Sequence, residues 1–494
     1  MVTSKIIQIL RKLNKNELSK FRDFLASPYF NNKRKMVLFY DKLKKYAPGF
    51  DDTKIDRNEI YKHLYPGSRF NAQVYKNLCS ELYSLVREFI AVSSFTANEY
   101  EAGIRLLEKL ESSGADELFE SELKNLKKKL NAGRYNDIKF FYRFRIALTE
   151  RNFLYHRSKR SILNTSGYEE SNELMKYYFV HAFRQRFDFE SLALNFNIAE
   201  NENPAISHIG KQLETGMVQN SIDEMKAVKS KDYEVVAIFY YILMSFKHPG
   251  NDLYFNYAKE LVFKNINKFD RSAQFEVTDA LYGLFSFRMM HNASIENYRD
   301  TFDIINFRLK RKIYKEDPES YLDAISFRAI FLTGLRVREY EWLKRFLKKY
   351  IKDVNPEYRE NLNNLLTSFN KFYEKKYEES LKSLNKVKYD INLYKLDVRK
   401  LQLLNYYELD YVESAFSLIA SFKEFLKSNR DLTGAEQAQN LKLVSTFSKL
   451  LKLKSEYNEF RIIKLENAVK KDAEVLYRYW FLEKIQELKT QNNK

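Results

Sequence analysis

The chain holds one cysteine, Cys79, in 494 residues. An intramolecular disulfide and a cysteine-built zinc cage are both excluded. Proline (7) and glycine (12) are scarce, far below their ordinary shares of about 5% and about 7%. Few turn-formers and few helix breakers favour long helices over many-stranded sheets. The glycines stand at 49, 67, 103, 114, 133, 167, 210, 216, 250, 283, 334 and 434. They never crowd into the windows that a dinucleotide fingerprint or a phosphate loop requires, so both readings are rejected. The longest apolar run, from Val235 to Phe246, is a dozen residues, well short of the roughly 20 that a membrane span needs. Gln8 and Arg11 break the N-terminal apolar run too early for a secretory signal. No membrane association is expected, and the cytoplasm is the expected address. The histidines (His63, His156, His181, His208, His248 and His291) include no local pair and no HExxH, so no metal or other cofactor is expected.

What remains is rich in core-forming and charged residues, at 45% hydrophobic and 30% charged. That composition argues for an ordered globular chain. The net charge of +18 permits attraction to nucleic acid or another polyanion. Abundant Lys, Asn, Tyr, Phe and Ile also fit a compositional drift that raises basicity without any partner.

Residues 1–93 read as an N-terminal helical domain. Asn14 with Glu17, and Asp56 with Glu59, have the spacing of capping boxes. Pro28, Pro48-Gly49 and Pro66-Gly67 punctuate successive helices. A long helix is expected from Asn71 to Val92, with Val74, Leu78, Leu82, Leu85 and Phe89 on one face. Ser93 to Asn98 is the expected boundary.

The remainder repeats. Asp317-Pro318-Glu319 and Asn355-Pro356-Glu357 lie 38 residues apart, each placing a capping side chain before proline at a helix start. Between them a helix from Tyr321 to Phe331, a break at Thr333-Gly334 and a second helix from Glu339 to Tyr350 are expected. Further pairs are expected around turns at Lys375-Lys376, Leu409-Asp410, His248-Pro249-Gly250 and Asn292. Helix pairs of this size cannot bury both apolar faces alone, so they stack in arrays.

Two stretches carry a family likeness: Phe372-Tyr373-Glu374-Lys375-Lys376-Tyr377-Glu378-Glu379-Ser380-Leu381 and Tyr406-Tyr407-Glu408-Leu409-Asp410-Tyr411-Val412-Glu413-Ser414-Ala415. Each resembles the helix–helix junction of the tetratricopeptide and related helical-repeat families: a tyrosine, a short turn, a second aromatic, then a small residue. The resemblance is best over residues 230–430. It implies a concave surface that holds a protein partner.

The chemistry-bearing candidate is the segment from Lys139 to Arg160. Lys139, Arg143, Arg145, Arg151, Arg157, Lys159 and Arg160 stand there against one acid, Glu150, with Phe140, Phe141, Tyr142, Phe144, Phe153 and Tyr155 interleaved. Cations beside stacking aromatics are how single strands are held. The structural alternative is that the aromatics form a buried stripe and the cations its solvated edge. Arg151-Asn152 with His156 resembles the Arg–polar–His pattern of helical HEPN ribonucleases, which implies an imidazole acting on a 2′-hydroxyl while a guanidinium steadies the phosphate; Arg57-Asn58 before His63 nearly repeats it. The Pro66-Gly67 region could form a helix-turn-helix presenting Asn71, Gln73, Lys76 and Asn77. Cys79 reads as a core thiol, and Arg308, Lys310, Arg311, Lys312 and Lys315 as cations complementing a helix end.

The expected fold is all-α: an N-terminal helical bundle over residues 1–93, then a right-handed α-solenoid of tetratricopeptide-like repeats over residues 99–494. The expected function is a non-catalytic scaffold binding a protein partner. The alternative is nucleic-acid binding through Lys139, Arg143, Arg145, Arg151, His156, Arg157, Lys159 and Arg160, with RNA cleavage at Arg151 and His156.

Overall fold

A computed structural model describes residues 4–196, 210–211, 213, 216–291, 294–388, 392–429, 432, 434–472 and 475–492. Among these residues the regular structure is helical, and β-pairing is limited to two isolated bridges, Tyr135 with Phe269 and Leu322 with Val354. The fold is all-α. No described helix is long and apolar enough to cross a membrane. Chain compactness divides the molecule into one unit of residues 1–133 and 138–174 and a second of residues 134–137 and 175–494.

The first unit contains α1 (Lys5–Leu10), α2 (Lys15–Ala26), α3 (Arg34–Lys44), α4 (Arg57–Leu64), α5 (Ala72–Ala97), α6 (Glu99–Ser112), α7 (Asp116–Ala132), α8 (Lys139–His156) and the start of α9 (Arg160–Phe196). Side chains cap several of its helix starts. Asn14 and Glu17 form a reciprocal capping box on α2, Asp56 caps α4 through the Glu59 amide, and Asn71 caps α5. Each cap satisfies amides that a helix start otherwise leaves bare. The buried stripe of α5 is Tyr75, Leu78, Leu82, Val86 and Phe89, so Tyr75 and Val86 replace the expected Val74 and Leu85 as the fully buried members. Helix α5 also continues through the expected boundary at 93–98 and ends on Asn98, which caps α6 in turn. Buried side chains of this unit form one cluster drawn from residues 6–89 and another from residues 104–154.

The second unit continues with α10 (Gly216–Ala227), α11 (Tyr233–Lys247), α12 (Asp252–Asn265), α13 (Arg271–His291), α14 (Ile295–Arg311), α15 (Ala324–Arg336), α16 (Tyr340–Tyr350), α17 (Pro356–Tyr373), α18 (Tyr377–Leu384), α19 (Asn392–Glu408), α20 (Val412–Ser428), α21 (Gly434–Ser455), α22 (Glu459–Lys471) and α23 (Arg478–Asn492). Most helices pack on their sequence neighbours and next-but-one neighbours. Every residue from Val235 to Phe246 is buried, which explains the longest apolar run: α11 is covered on all sides. The small residues expected at the helix junctions, Ser380 and Ala415, are fully buried. Ser380 donates to the Ser368 carbonyl at 2.8 Å and accepts from Asn405 at 3.0 Å, tying α17, α18 and α19 together.

Helix ends depart from expectation. Asp317-Pro318-Glu319 lies in a turn, and α15 starts later, capped by Asp323 through the Ser326 amide at 2.7 Å. Nor does α15 break at Thr333-Gly334; it runs to Arg336 and turns at Arg338, whose φ is 64°. The expected break at Asn292 lies outside the described residues. Gly334 serves packing instead of turning. A Cβ there would stand 2.9 Å from Leu343 Cδ2 and 3.0 Å from Trp342 Cζ3. Leu343 is fully buried, and the Trp342 indole lies against Phe302 and Phe346 and donates to Asn306 at 2.8 Å. Alanine ordinarily gains about 1 kcal/mol over glycine inside a helix, but overpacking costs about 1–3 kcal/mol, and here the neighbours are a fully buried leucine and a packed indole. Gly334→Ala is therefore expected to lower the urea midpoint at unchanged slope, by about 1 kcal/mol net; a raised midpoint would mean that the indole yields.

Candidate functional site

Helix α8 carries the basic segment, and its cations are engaged within the first unit. Lys139 is buried and donates to the Gly133 carbonyl. Arg143 lies over the Phe140 ring with its guanidinium 3.9 Å from Glu173. Arg145 pairs with Glu101 at 2.9 Å, Arg157 with Asp116 at 2.7 Å and Lys159 with Glu120 at 2.8 Å. The Asp116 carboxyl is held below its usual range, chiefly by the hydrogen bonds from Arg157. The Arg160 side chain lies outside the described residues, as does His208. Of the interleaved aromatics, Phe140, Tyr142 and Phe153 are buried while Tyr155 is exposed. The acids that meet these cations come from α6, α7 and α9, so the one-acid count within 139–160 understates the local negative charge.

Arg151 and His156 do not converge on one group. Arg151 pairs with Glu170 of α9, whereas His156 Nδ1 meets Glu111 of α6 at 2.6 Å. At the Pro66-Gly67 turn, Asn71 is occupied as the cap of α5, and Gln73 donates to Asn77 at 2.9 Å. Lys76 is exposed. Cys79 sits against the core, and burial pushes its thiol up to about 11, Arg57 opposing weakly; a thiol so placed is a poor nucleophile. Arg308, Lys310 and Arg311 lie in the last turn of α14, where Arg308 pairs with Asp279 at 2.9 Å. No group of three His, Cys, Asp or Glu that could hold a metal occurs among the described residues.

A different feature stands out in the second unit. A cleft of about 790 Å³ opens where the ends of α15 and α17 and the starts of α16 and α18 meet α13, α14, α19, α21 and α23. Six tyrosines line its walls. Tyr340 stacks on Tyr373 with ring centres 5.2 Å apart. Burial pushes the Tyr373 and Tyr477 hydroxyls up, and it pushes Tyr377 up to about 12 with help from Glu408. All three therefore remain hydrogen-bond donors at neutral pH.

The cleft's cations fall into two kinds, with Lys375 at its turn beside them. Lys400 pairs with Asp397 at 3.1 Å, Lys442 with Asp472 at 2.7 Å, and Arg478 donates to the carbonyls of Val469 and Lys470. Arg336 and Arg338 are otherwise. Arg336 lies 5.8 Å from the Tyr298 ring centre and 5.7 Å from that of Tyr477, and Arg338 lies 4.8 Å from that of Tyr479. Neither forms an ion pair among the described residues. Cation–π contact fixes the plane of a guanidinium and leaves its N–H edge available. No local sequence signal marks this site, because its residues run from Phe285 to Glu483 and meet only in three dimensions.

Away from the cleft, Glu276 is an acid moved toward neutrality. Burial pushes its carboxyl up to about 7, against the opposing charge of Arg184. It does not line the cleft described above.

Compared with known protein families, curated proteins and solved structures, the chain shows no match to any of them.

Proposed function

We propose that this chain is a non-catalytic adaptor that seats a protein partner in the tyrosine-lined cleft of its second unit. In this reading the helices from α10 onward form a right-handed solenoid of degenerate tetratricopeptide-like repeats, after an N-terminal helical bundle, and the cleft lies on the concave face. The observation that carries it is the pair Arg336 and Arg338, placed over Tyr298, Tyr477 and Tyr479 and with no ion pair among the described residues. Tyrosine and arginine are the side chains that most often anchor interfaces, because they bury large area and offer directed hydrogen bonds. Nucleic-acid binding through Lys139 to Arg160 would require phosphates to displace Glu101, Asp116, Glu120 and Glu170 from their arginines and lysine.

The test is an affinity capture with the tagged full chain and its Tyr479→Ala variant, from extract of the source cells, in nuclease-treated and untreated halves. The expected result is a discrete protein partner that survives nuclease and moderate salt and is lost on the variant; Tyr479 is half exposed, so its loss leaves the fold intact. Recovery of RNA or DNA, with protein partners lost after nuclease, would overturn the adaptor reading, since phosphate contacts release counterions and weaken steeply with salt.

A further inference from the structure

We infer that the cleft recognises a peptide segment of the partner through a carboxylate, held by Arg336 and Arg338 and flanked by apolar or aromatic side chains; this rests on the adaptor reading above. The argument begins from charge supply. Arginines buried or nearly so are paired: Arg288 bridges Asp252 at 2.8 Å and Asp300 at 3.0 Å, Arg308 meets Asp279, and Arg328 meets Asp397, whereas Arg336 is partly buried and Arg338 exposed. Against that background, two neighbouring guanidiniums with no ion pair among the described residues mark a place where the negative charge comes from outside.

The position is prepared for it. Arg336 is partly buried between two rings, which limits its freedom before any ligand arrives. Less entropy is then lost on binding. A carboxylate meets a guanidinium edge with two parallel hydrogen bonds, and such charge-assisted bonds are the strong ones. The hydroxyls of Tyr373 and Tyr477, protonated at neutral pH, add neutral donors to the same walls.

The cleft's own acids favour a peptide over a nucleic-acid strand. Glu408, Glu436 and Glu483 line it together with Arg336 and Arg338. Glu408 is committed to the fold, accepting from the Trp480 indole at 2.6 Å and from Lys484 at 3.1 Å. Fixed carboxylates along the wall repel a phosphodiester chain, which carries a charge at every residue. They suit a peptide, whose single carboxylate faces the arginines while its amide N–H groups face acids. The net charge of +18 steers an acidic segment toward the surface without specifying it.

The test is selection of a displayed random dodecapeptide library on the intact full-length protein, with the R336Q/R338Q double variant kept for comparison. The winners are then titrated against both proteins, each beside its Glu→Gln or Asp→Asn peptide, with a dodecauridylate strand as a separate probe. Peptides carrying Asp, Glu or a free C-terminal carboxylate are expected to win. Both the peptide substitution and the protein variant are expected to weaken binding by about 10- to 100-fold, the loss of a charged hydrogen-bond pair. Should the double variant lose its thermal transition, Arg338→Gln alone serves, since Arg338 is exposed. Winners that depend on the cleft but tolerate the acid-to-amide change would overturn the carboxylate and leave the adaptor reading standing. Winners indifferent to the variant, or cleft-dependent binding of the uridylate, would overturn both.

Discussion

Replacing Asp397 with alanine is expected to cost the second unit about 3–5 kcal/mol, the usual loss when one partner of a buried ion pair is removed. Asp397 is 1% exposed. Arg328, 69 positions earlier in the chain, donates to both of its oxygens, one at 2.7 Å, and Lys400 meets it at 3.1 Å. Burial alone would raise this carboxyl, but Arg328 and Lys400 outweigh it and hold it below the usual range. Alanine leaves two buried cations facing each other. Lys400, already pushed down by burial, can shed its proton, but Arg328 cannot. The contribution of Asp397 is present above the unfolded carboxyl pKa of about 3.9 and is lost as pH falls through the lower folded value. Urea unfolding at neutral pH checks the magnitude. The double replacement Arg328→Met with Asp397→Leu should cost much less than D397A alone, because no charge is then stranded. Equal losses for the single and the double would show that packing, and not the ion pair, is what the alanine removes.

The same residue illustrates how far the sequence could be read. Several helix starts were legible because Asn14, Asp56, Asn71 and Asn355 act through amides two or three positions away, while the start expected at Asp317 proved a turn. Helix ends were less so. The turns after α8, α10, α14, α15, α17 and α19 place Ser158, Lys229, Lys312, Arg338, Lys375 and Asp410 at positive φ, a role that glycine fills after α6 at Gly114. A left-handed residue with a side chain costs about 1 kcal/mol, and stacking of the next helix supplies the compensation, which no local pattern announces. Gly334 shows the converse: it looks like a breaker and is a packing device. The Arg328–Asp397 pair joins α15 to α19, and the cleft gathers residues from nine helices. Such long-range meetings are not written in periodicity. In the basic helix α8 the cations and aromatics were both visible, but their acidic partners at Glu101, Asp116, Glu120 and Glu170 lie outside the segment that drew attention.

Phe153→Ala decides what the aromatics of that helix are for. The Phe153 ring is 2% exposed and stacks on Phe119 with centres 4.0 Å apart and planes 12° from parallel. Arg157 and Lys159 lie over the same ring at 5.1 Å and 5.4 Å. Truncation removes the transfer energy of a buried phenyl and opens a cavity, about 3–5 kcal/mol, and it forfeits a stacked pair besides. The arginine and lysine also lose the surface that orients them toward Asp116 and Glu120. The expected result is a first unit destabilised by about 3–5 kcal/mol in urea, whereas Tyr155→Ala, at an exposed ring, stays within about 0.5 kcal/mol. A buried ring cannot meet a base without leaving its partner, so its contribution belongs to stability. Were F153A as stable as the parent yet weaker for single-stranded RNA, the ring would be a stacking platform, and the binding surface of this protein would have to be sought on α8.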